Sequence, residues 1–255
     1  MSNKAGLILV TYKNYEILIE ALTSIYLNTD SDDYDLFIID NGNDKRLKDY
    51  PLINTTIINP DQNLYWAGGI NKGLSLLSNQ KYVFFLNDDI EVSNNWLENH
   101  IKVLEKNKQI GALGPLNSSP RDWQFYNKVR TNFKLGKILP EINDLSNLES
   151  INNQIANVSP EFTYIKGMLA FFCTAFRKET IDRVGLLNER FIMGGDDDAY
   201  CRELEKHGYE LALLLNTFVN HKAGISINKL DNEFRKQISI DNSKLLRELY
   251  PTYYK

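Results

Sequence analysis

The chain has 255 residues, 43% hydrophobic, 11% aromatic and 24% charged, the composition of a globular protein long enough to bury a sizeable core in one large domain. Lys plus Arg number 29 against 33 Asp plus Glu, a net charge of -4, which argues against a nucleic-acid backbone as the main partner. The longest apolar run, Met168 to Cys173, is far below the roughly 18 residues of a membrane-crossing helix, and no signal-peptide pattern opens the chain, so a cytoplasmic protein is expected.

In chain order, Leu7 to Val10 reads as a first strand, and Asn14 to Asn28 as a helix with its stripe at Ile17, Leu18, Ala21, Leu22, Ile25 and Tyr26 and Asn14 as N-cap. Leu36 to Ile39 is the second strand, closed by the turn chemistry of Asp40-Asn41-Gly42. Thr56 to Ile58 is the third, followed by a Gly-containing loop and a helix from about Gly69 to Leu77. Tyr82 to Leu86 is apolar throughout, as a strand buried on both faces is, and it stops at Asn87-Asp88-Asp89. Trp96 to Asn107 reads as a helix, and Ile110 to Leu113 as a strand before the Gly114-Pro115 break.

From Asn117 to Ser159 the periodicity fades, which predicts a long insertion or mobile loop. Order returns with strand-like Phe162 to Ile165 and Ala170 to Arg177 and a short helix at Glu179 to Val184. Gly194-Gly195-Asp196-Asp197-Asp198 then opens a helix through His207, Leu211 to Leu215 is strand-like, and a polar helical tail covers 228–255. Cys173 and Cys201 offer neither a disulfide framework nor a thiolate zinc site and are expected to be reduced core residues. Strands alternating with helices predict an α/β fold, Rossmann-like, with a mostly parallel central sheet flanked by helices. We divide it into a single domain over 1–227, with a first half to about 115, the variable insertion at 117–159 and a second half from about 160, followed by the tail.

In such a sheet ligands bind beyond the carboxyl ends of the strands. Thr11-Tyr12, Asp40-Asn41, Asn63 to Gly73 and Asn87-Asp88-Asp89 all fall there, a pattern that suggests a nucleotide site. The Gly-x-Gly-x-x-Gly and P-loop signatures are missing, so dinucleotide and P-loop readings lack their phosphate cradle. Adjacent carboxylates at Asp88 and Asp89 repel one another and need a counter-charge, which a divalent cation shared with a diphosphate supplies; a solvated acid pair is the plain alternative. Asp196, Asp197 and Asp198 are about 100° apart on a helix, so they cannot all face one ligand. Asp198 to Arg202 has ion-pair spacing, and Asp196, nearest the glycines and least committed to the helix, is the one freest to act as a base. His221, among Asn220, Lys222 and Gly224, is either a surface residue or the completion of a metal shell.

These segments together resemble the inverting GT-A glycosyltransferases of family 2. The resemblance runs from Leu7 to Ser226, and Asn63-Leu64-Tyr65-Trp66-Ala67-Gly68-Gly69-Ile70-Asn71-Lys72-Gly73 is similar to the Asn-x-Gly-Phe-Ala-Gly-Gly-x-Asn-x-Gly element of the rhamnosyl- and galactofuranosyltransferase subgroup. Here Tyr65 stands for its first Gly and Trp66 for its Phe. The resemblance implies a nucleotide-sugar site of Thr11, Tyr12, Asp40, Asn41, Asn63, Trp66, Gly68, Gly69, Asn71, Lys72, Asn87 and Asp88. It implies a divalent cation, Mn2+ or Mg2+, on Asp89 and His221, with Asn87-Asp88-Asp89 at the Asp-x-Asp position. Asp196 matches the usual base in a Glu-Asp-x-Asp element whose Glu is Gly195 here, with Asp197 and Asp198 as supporting acids.

The implied reaction moves a sugar from a UDP- or dTDP-linked donor to a glycan or lipid-linked glycan. A sugar nucleotidyltransferase would need a basic Gly-rich loop where Thr11-Tyr12-Lys13-Asn14 stands; a non-catalytic nucleotide- or glycan-binding module would suit the missing Glu. The Lys, Arg, Leu and Tyr of the tail suit peripheral contact with the inner face of a cell membrane, a homo-oligomer contact or a solvated packing helix alike.

Overall fold

The computed structural model describes residues 5–224 and 231–254; Ile225 and Ser226 of the histidine motif and the expected start of the tail at 228 lie outside the described residues. The first strand, β1 (Ala5–Thr11), is buried along its whole length, so alternate side chains feed opposite cores. Leu7 and Leu9 pack with Leu18, Leu22 and Ile25 of α1 (Tyr15–Asn28), while Ile8 and Val10 pack with Ala67, Ile70 and Leu74 of α2 (Tyr65–Leu74). Parallel pairing with β2 (Tyr34–Asp40) on one side and β4 (Tyr82–Asn87) on the other fixes β1 at the centre, and β3 (Thr55–Ile58) flanks β2.

The mostly parallel sheet flanked by helices is as expected, and beyond β4 antiparallel pairs enter it and make it mixed. β5 (Ile90–Val92), β6 (Ile110–Asn117), β7 (Phe162–Ile165), β8 (Cys173–Arg177) and β9 (Glu210–His221) complete nine strands among the described residues, in the order β3-β2-β1-β4-β8-β6-β9-β5, with β7 also beside β9. β8 runs antiparallel to β4 and β6, whereas β6 and β9 are parallel. α3 (Trp96–Lys106) joins α1 on one face; α4 (Tyr126–Asn132), α5 (Leu148–Ile155), α6 (Lys178–Val184) and α7 (Asp196–Lys206) join α2 on the other. The last helix, α8 (Asn232–Leu249), packs Leu245 and Leu246 with Phe191 and Ala199 beside α7. Both cysteines are buried and free.

Several elements differ from the sequence reading. α2 starts four residues before Gly69, because its glycines serve close packing: a Cβ on Gly69 would lie 2.8 Å from Val10 Cγ1, and one on Gly73 2.3 Å from Ile8 Cγ2. β6 passes through Gly114-Pro115, with a register shift between Pro115 and Leu116, the kind of irregularity at which a sheet tolerates proline. β8 begins at Cys173 and not at Ala170, β9 extends to His221 through buried Asn216 and Thr217, and β5 was not expected. The stretch 117–159 is no loose insertion: α4 and α5 place Tyr126, Val129, Ile151 and Ile155 in the core shared with β1 and α2. Their apolar side chains are too sparse in sequence to show a period, and the partner they bury against comes from the far strands. Asn14 precedes α1 without capping it by its side chain; its amide is drawn instead to a buried carboxylate, Asp88.

Candidate active site

The strand order turns at β1, whose chain continuation lies on the β2 side while β4 lies on the other. Ligands of open α/β sheets bind at the carboxyl ends of the strands beside such a divergence, and polar groups meet there. Thr11 Oγ1, at the end of β1, donates to Asp88 Oδ2 just after β4 at 2.7 Å, and Asn14 Nδ2 donates to the same oxygen at 3.2 Å. Burial raises the Asp88 pKa to about 6, with the Thr11 hydrogen bond working against it and the charge of Asp89 adding to it.

Asp89 is held by backbone on both sides. β5 follows it at once and pairs with β9 so that Ile90 faces His221, and the Lys222 N–H donates to the Asp89 carbonyl at 2.9 Å. The side chains meet as a result: His221 Nε2 is 3.3 Å from Asp89 Oδ1. Apart from this approach of the histidine ring, that buried oxygen has no hydrogen-bond partner. On the other edge of the ring, His221 Nδ1 is 2.8 Å from Asp122 Oδ2, and its face stacks on Phe172 at 4.6 Å between centroids. Burial disfavours the imidazolium, but Asp122 and Asp89 outweigh it and raise the pKa to about 9. Trp66 Nε1 donates to Asn87 Oδ1 at 3.0 Å, and Asn87 Nδ2 lies 3.5 Å from His221 Nε2. A carboxylate oxygen without a hydrogen bond facing an imidazole nitrogen, with a second carboxylate orienting the ring, suits a divalent cation. Asp89 and His221 are two side chains of ligand type; among the described residues no cluster of three or more His, Cys, Asp or Glu could hold a metal alone.

The acidic run divides as its helical spacing predicts. Asp198 Oδ1 bonds Arg202 at 2.9 Å and its Oδ2 accepts from the Tyr254 hydroxyl, so this side chain ties α7 to the C-terminus. Asp196, the first residue of α7, is buried, and the backbone of the helix start and of Gly194 favours its charged form. Burial nevertheless raises its pKa; Asp197 is raised by burial and then by the charge of Asp196.

The other expected nucleotide residues sit around the same edge with differing freedom. Asp40 accepts from the N–H groups of Gly42 (3.0 Å) and Asp44 (2.6 Å) and from Asn59 Nδ2 (3.1 Å), which fixes the loop after β2. Asn41 accepts from the Leu64 N–H and donates to the Tyr65 carbonyl, and Asn63 accepts from the Tyr65 N–H, so both shape the start of α2. Tyr65, where the resembled element has Gly, adopts φ +55°, a left-handed backbone that glycine takes without strain. Asn71 is committed elsewhere: it donates to Leu187 O and Glu189 Oε1 and accepts from the Leu187 N–H. Gly68 packs near Leu64 and Glu189 and Gly69 against Val10, while Tyr12 and Lys72 are exposed.

Sequence reasoning missed Asp122, which lies in the stretch without periodicity. Its position comes from a turn in which Asn117 bonds both the Ser119 N–H and Asp122, while Ser118 bonds Asn220 and the His221 N–H. Nothing in the sequence marks that pairing with β9. It also missed Asn242 of α8, whose amide meets the loop before Asp196.

A family model described as glycosyl transferase family 2 matches residues 7–184, which includes Asp88 and Asp89 and stops before Asp196 and His221. No curated protein matches the chain. Among solved structures it is similar to GalNAc-T7 with UDP, GalNAc and Mn2+, at 14% identity and TM-score 0.63, over 86% of this chain and 44% of that one. It is similar to the mannosyltransferase PcManGT from Pyrobaculum calidifontis in complex with GDP-Man and Mn2+, at 17% identity and TM-score 0.65, over 97% of this chain and 65% of that one. A third is TarS of S. aureus, at 12% identity and TM-score 0.60, over 98% of this chain and 73% of that one. The chain thus spans less than two thirds of the length of the first two, and at these identities the likeness is one of fold.

Proposed function

The chain belongs to glycosyl transferase family 2, and from that premise we propose that it moves a sugar, with inversion, from a nucleoside diphosphate sugar to a hydroxyl of a glycan or lipid-linked glycan. The observation that carries this reading is the meeting of Asp88, Asp89 and His221 at the carboxyl edge of β1 and β4, with the buried Asp89 oxygen facing Nε2 at 3.3 Å. Two of the similar structures are described with Mn2+ and a nucleotide or nucleotide sugar, which supports a divalent cation here. Asp89 and His221 would hold it, and when bound it supplies Lewis-acid stabilisation of charge on a diphosphate.

The chain's own residues do the rest. Tyr12 and the end of β1 offer an exposed ring and polar backbone to a base and ribose, and Asp88, tied to Thr11, offers its second oxygen. Asp196 accepts the proton of the acceptor hydroxyl as that oxygen bonds to the anomeric carbon. The bond from the anomeric carbon to the phosphate oxygen breaks, and the nucleoside diphosphate leaves with the electron pair. A pKa raised by burial makes Asp196 a stronger base than a solvated carboxylate.

Thermal stability against UDP-, dTDP- and GDP-sugars, each with and without Mn2+ or Mg2+, tests the donor half of this reading, since preferential binding stabilises by mass action. Stabilisation by one nucleotide class, dependent on metal and lost in Asp89→Asn, is expected. No stabilisation by any of them at saturation would overturn it.

A further inference from the structure

Met193, Gly194 and Gly195 have φ of 53°, 123° and 82°, three successive residues in the left-handed half of backbone space, immediately before Asp196. A chain so bent cannot keep its peptide groups in a helix or strand ladder, and buried ones need other partners. A single side chain from α8 holds two carbonyls and one N–H at this bend. Asn242 Nδ2 donates to Ile192 O at 2.8 Å and to Gly194 O at 2.6 Å, and its Oδ1 accepts from the Ile192 N–H at 3.4 Å. Both amide donors and the amide oxygen are thus spent on one loop, and the side chain is buried.

Gly194 links that clasp to the acid. Its carbonyl is held by Asn242, and its backbone, two residues before Asp196, is among the groups that favour the charged Asp196 carboxylate. α8 has further anchors, in Leu245, Leu246 and Tyr250 packed with Phe191 and Ala199, and in Tyr254 on Asp198. The clasp therefore hangs from a fixed support.

We propose that Asn242 is a positioning residue for the catalytic carboxylate, which makes α8 a working part of the site and not an appended tail. The proposal rests on Asp196 being the base. It predicts that loosening the clasp frees the loop and slows turnover while leaving the donor site, built on β1 and β4, as it was.

Two readouts on the full chain test it. In Asn242→Asp, which keeps size and acceptor but loses both donors, the Ile192 and Gly194 amides should exchange hydrogen at least 10-fold faster, with the middle of α7 unchanged. Release of nucleoside diphosphate from UDP-, dTDP- and GDP-hexoses, with water as acceptor, should show kcat reduced 10- to 100-fold and the affinity for the matching nucleoside diphosphate with Mn2+ within twofold. Asn242→Ser, which keeps one hydroxyl donor and no added charge, should fall between and carries the comparison if the Asp variant does not fold. Leu245→Ala, which weakens α8 packing without touching the clasp, should lower Tm yet keep kcat within twofold well below that Tm.

Unchanged exchange at Ile192 and Gly194, full kcat in both Asn242 variants, or an equal kcat loss in Leu245→Ala would overturn the positioning role. Asp196→Asn separates the two ideas. If it is inactive while the Asn242 variants turn over normally, only the positioning role fails; if it is active, the assignment of the base fails.

Discussion

His221 Nε2 stands 3.3 Å from Asp89 Oδ1 although one residue ends β9 and the other follows β4, strands separated in the sheet by β8 and β6. The short antiparallel pairing of β5 with β9 closes that gap. In Asp89→Asn or His221→Gln the stabilisation by Mn2+ plus nucleoside diphosphate should disappear. Asp122→Asn should weaken metal affinity by about 10- to 100-fold, the usual loss when the partner orienting a ligand histidine is removed. Metal titrations followed by calorimetry give both numbers.

Asp196→Asn should reduce kcat at least about 100-fold, the scale of general-base catalysis, with donor affinity unchanged. Single-turnover kinetics beside a direct binding assay separate the two effects. A variant with more than a tenth of wild-type kcat would remove Asp196 from the role.

Gly73→Ala should lower stability by about 1 to 3 kcal/mol through overpacking, even though alanine is the better helix former by about 1 kcal/mol. The new methyl would sit 2.3 Å from Ile8 Cγ2 on the central strand, with no flexible chain end to yield. Urea unfolding with an unchanged m-value would confirm that packing alone is affected.

His100 sets a dependence of stability on pH that is separate from the site. Its ring is fully buried, edge-on to Phe84; Nδ1 is 2.7 Å from the Trp96 carbonyl and Nε2 has no partner. Burial pushes its pKa down to about 4, below the roughly 6.5 of an unfolded histidine. Between these values the unfolded chain holds the proton and the folded one does not, so stability is complete above about 6.5 and falls as pH drops toward 4. The loss is about 3 kcal/mol at most on this scale. His100→Leu should flatten the pH 4 to 6.5 limb of ΔG obtained from denaturant melts; an unchanged limb would assign it to other groups.

What was legible in the sequence was what local pattern determines. β1, β4 and α1 are marked by apolar runs and a helical stripe, and the acids after β4 and in the first turn of α7 stand out because like charges gather beside strongly apolar segments. α2 was mis-bounded because glycines are read as loop, whereas Gly69 and Gly73 are there to let a helix approach β1. α4 and α5 were invisible because their burial depends on β6 and β9, not on a period of their own. The same cause hid Asp122 and Asn242. Each acts through a single long-range contact, with His221 and with the Ile192–Gly194 loop, and no spacing rule reaches that far.

The turn that carries Asp88 and Asp89 is a loop by connectivity alone. The Asn87 N–H is bonded to Phe172 O, the Asp89 carbonyl to the Lys222 N–H, and β5 is zipped to β9 from Ile90 onward. To fray, this segment must tear two different parts of the sheet at once, so it belongs kinetically with the slowest-opening unit of the molecule and not with its surface. A protease or an exchanging solvent should meet it as late as it meets the central strands, and donor capture should start from acids already in place, with no ordering step to wait for.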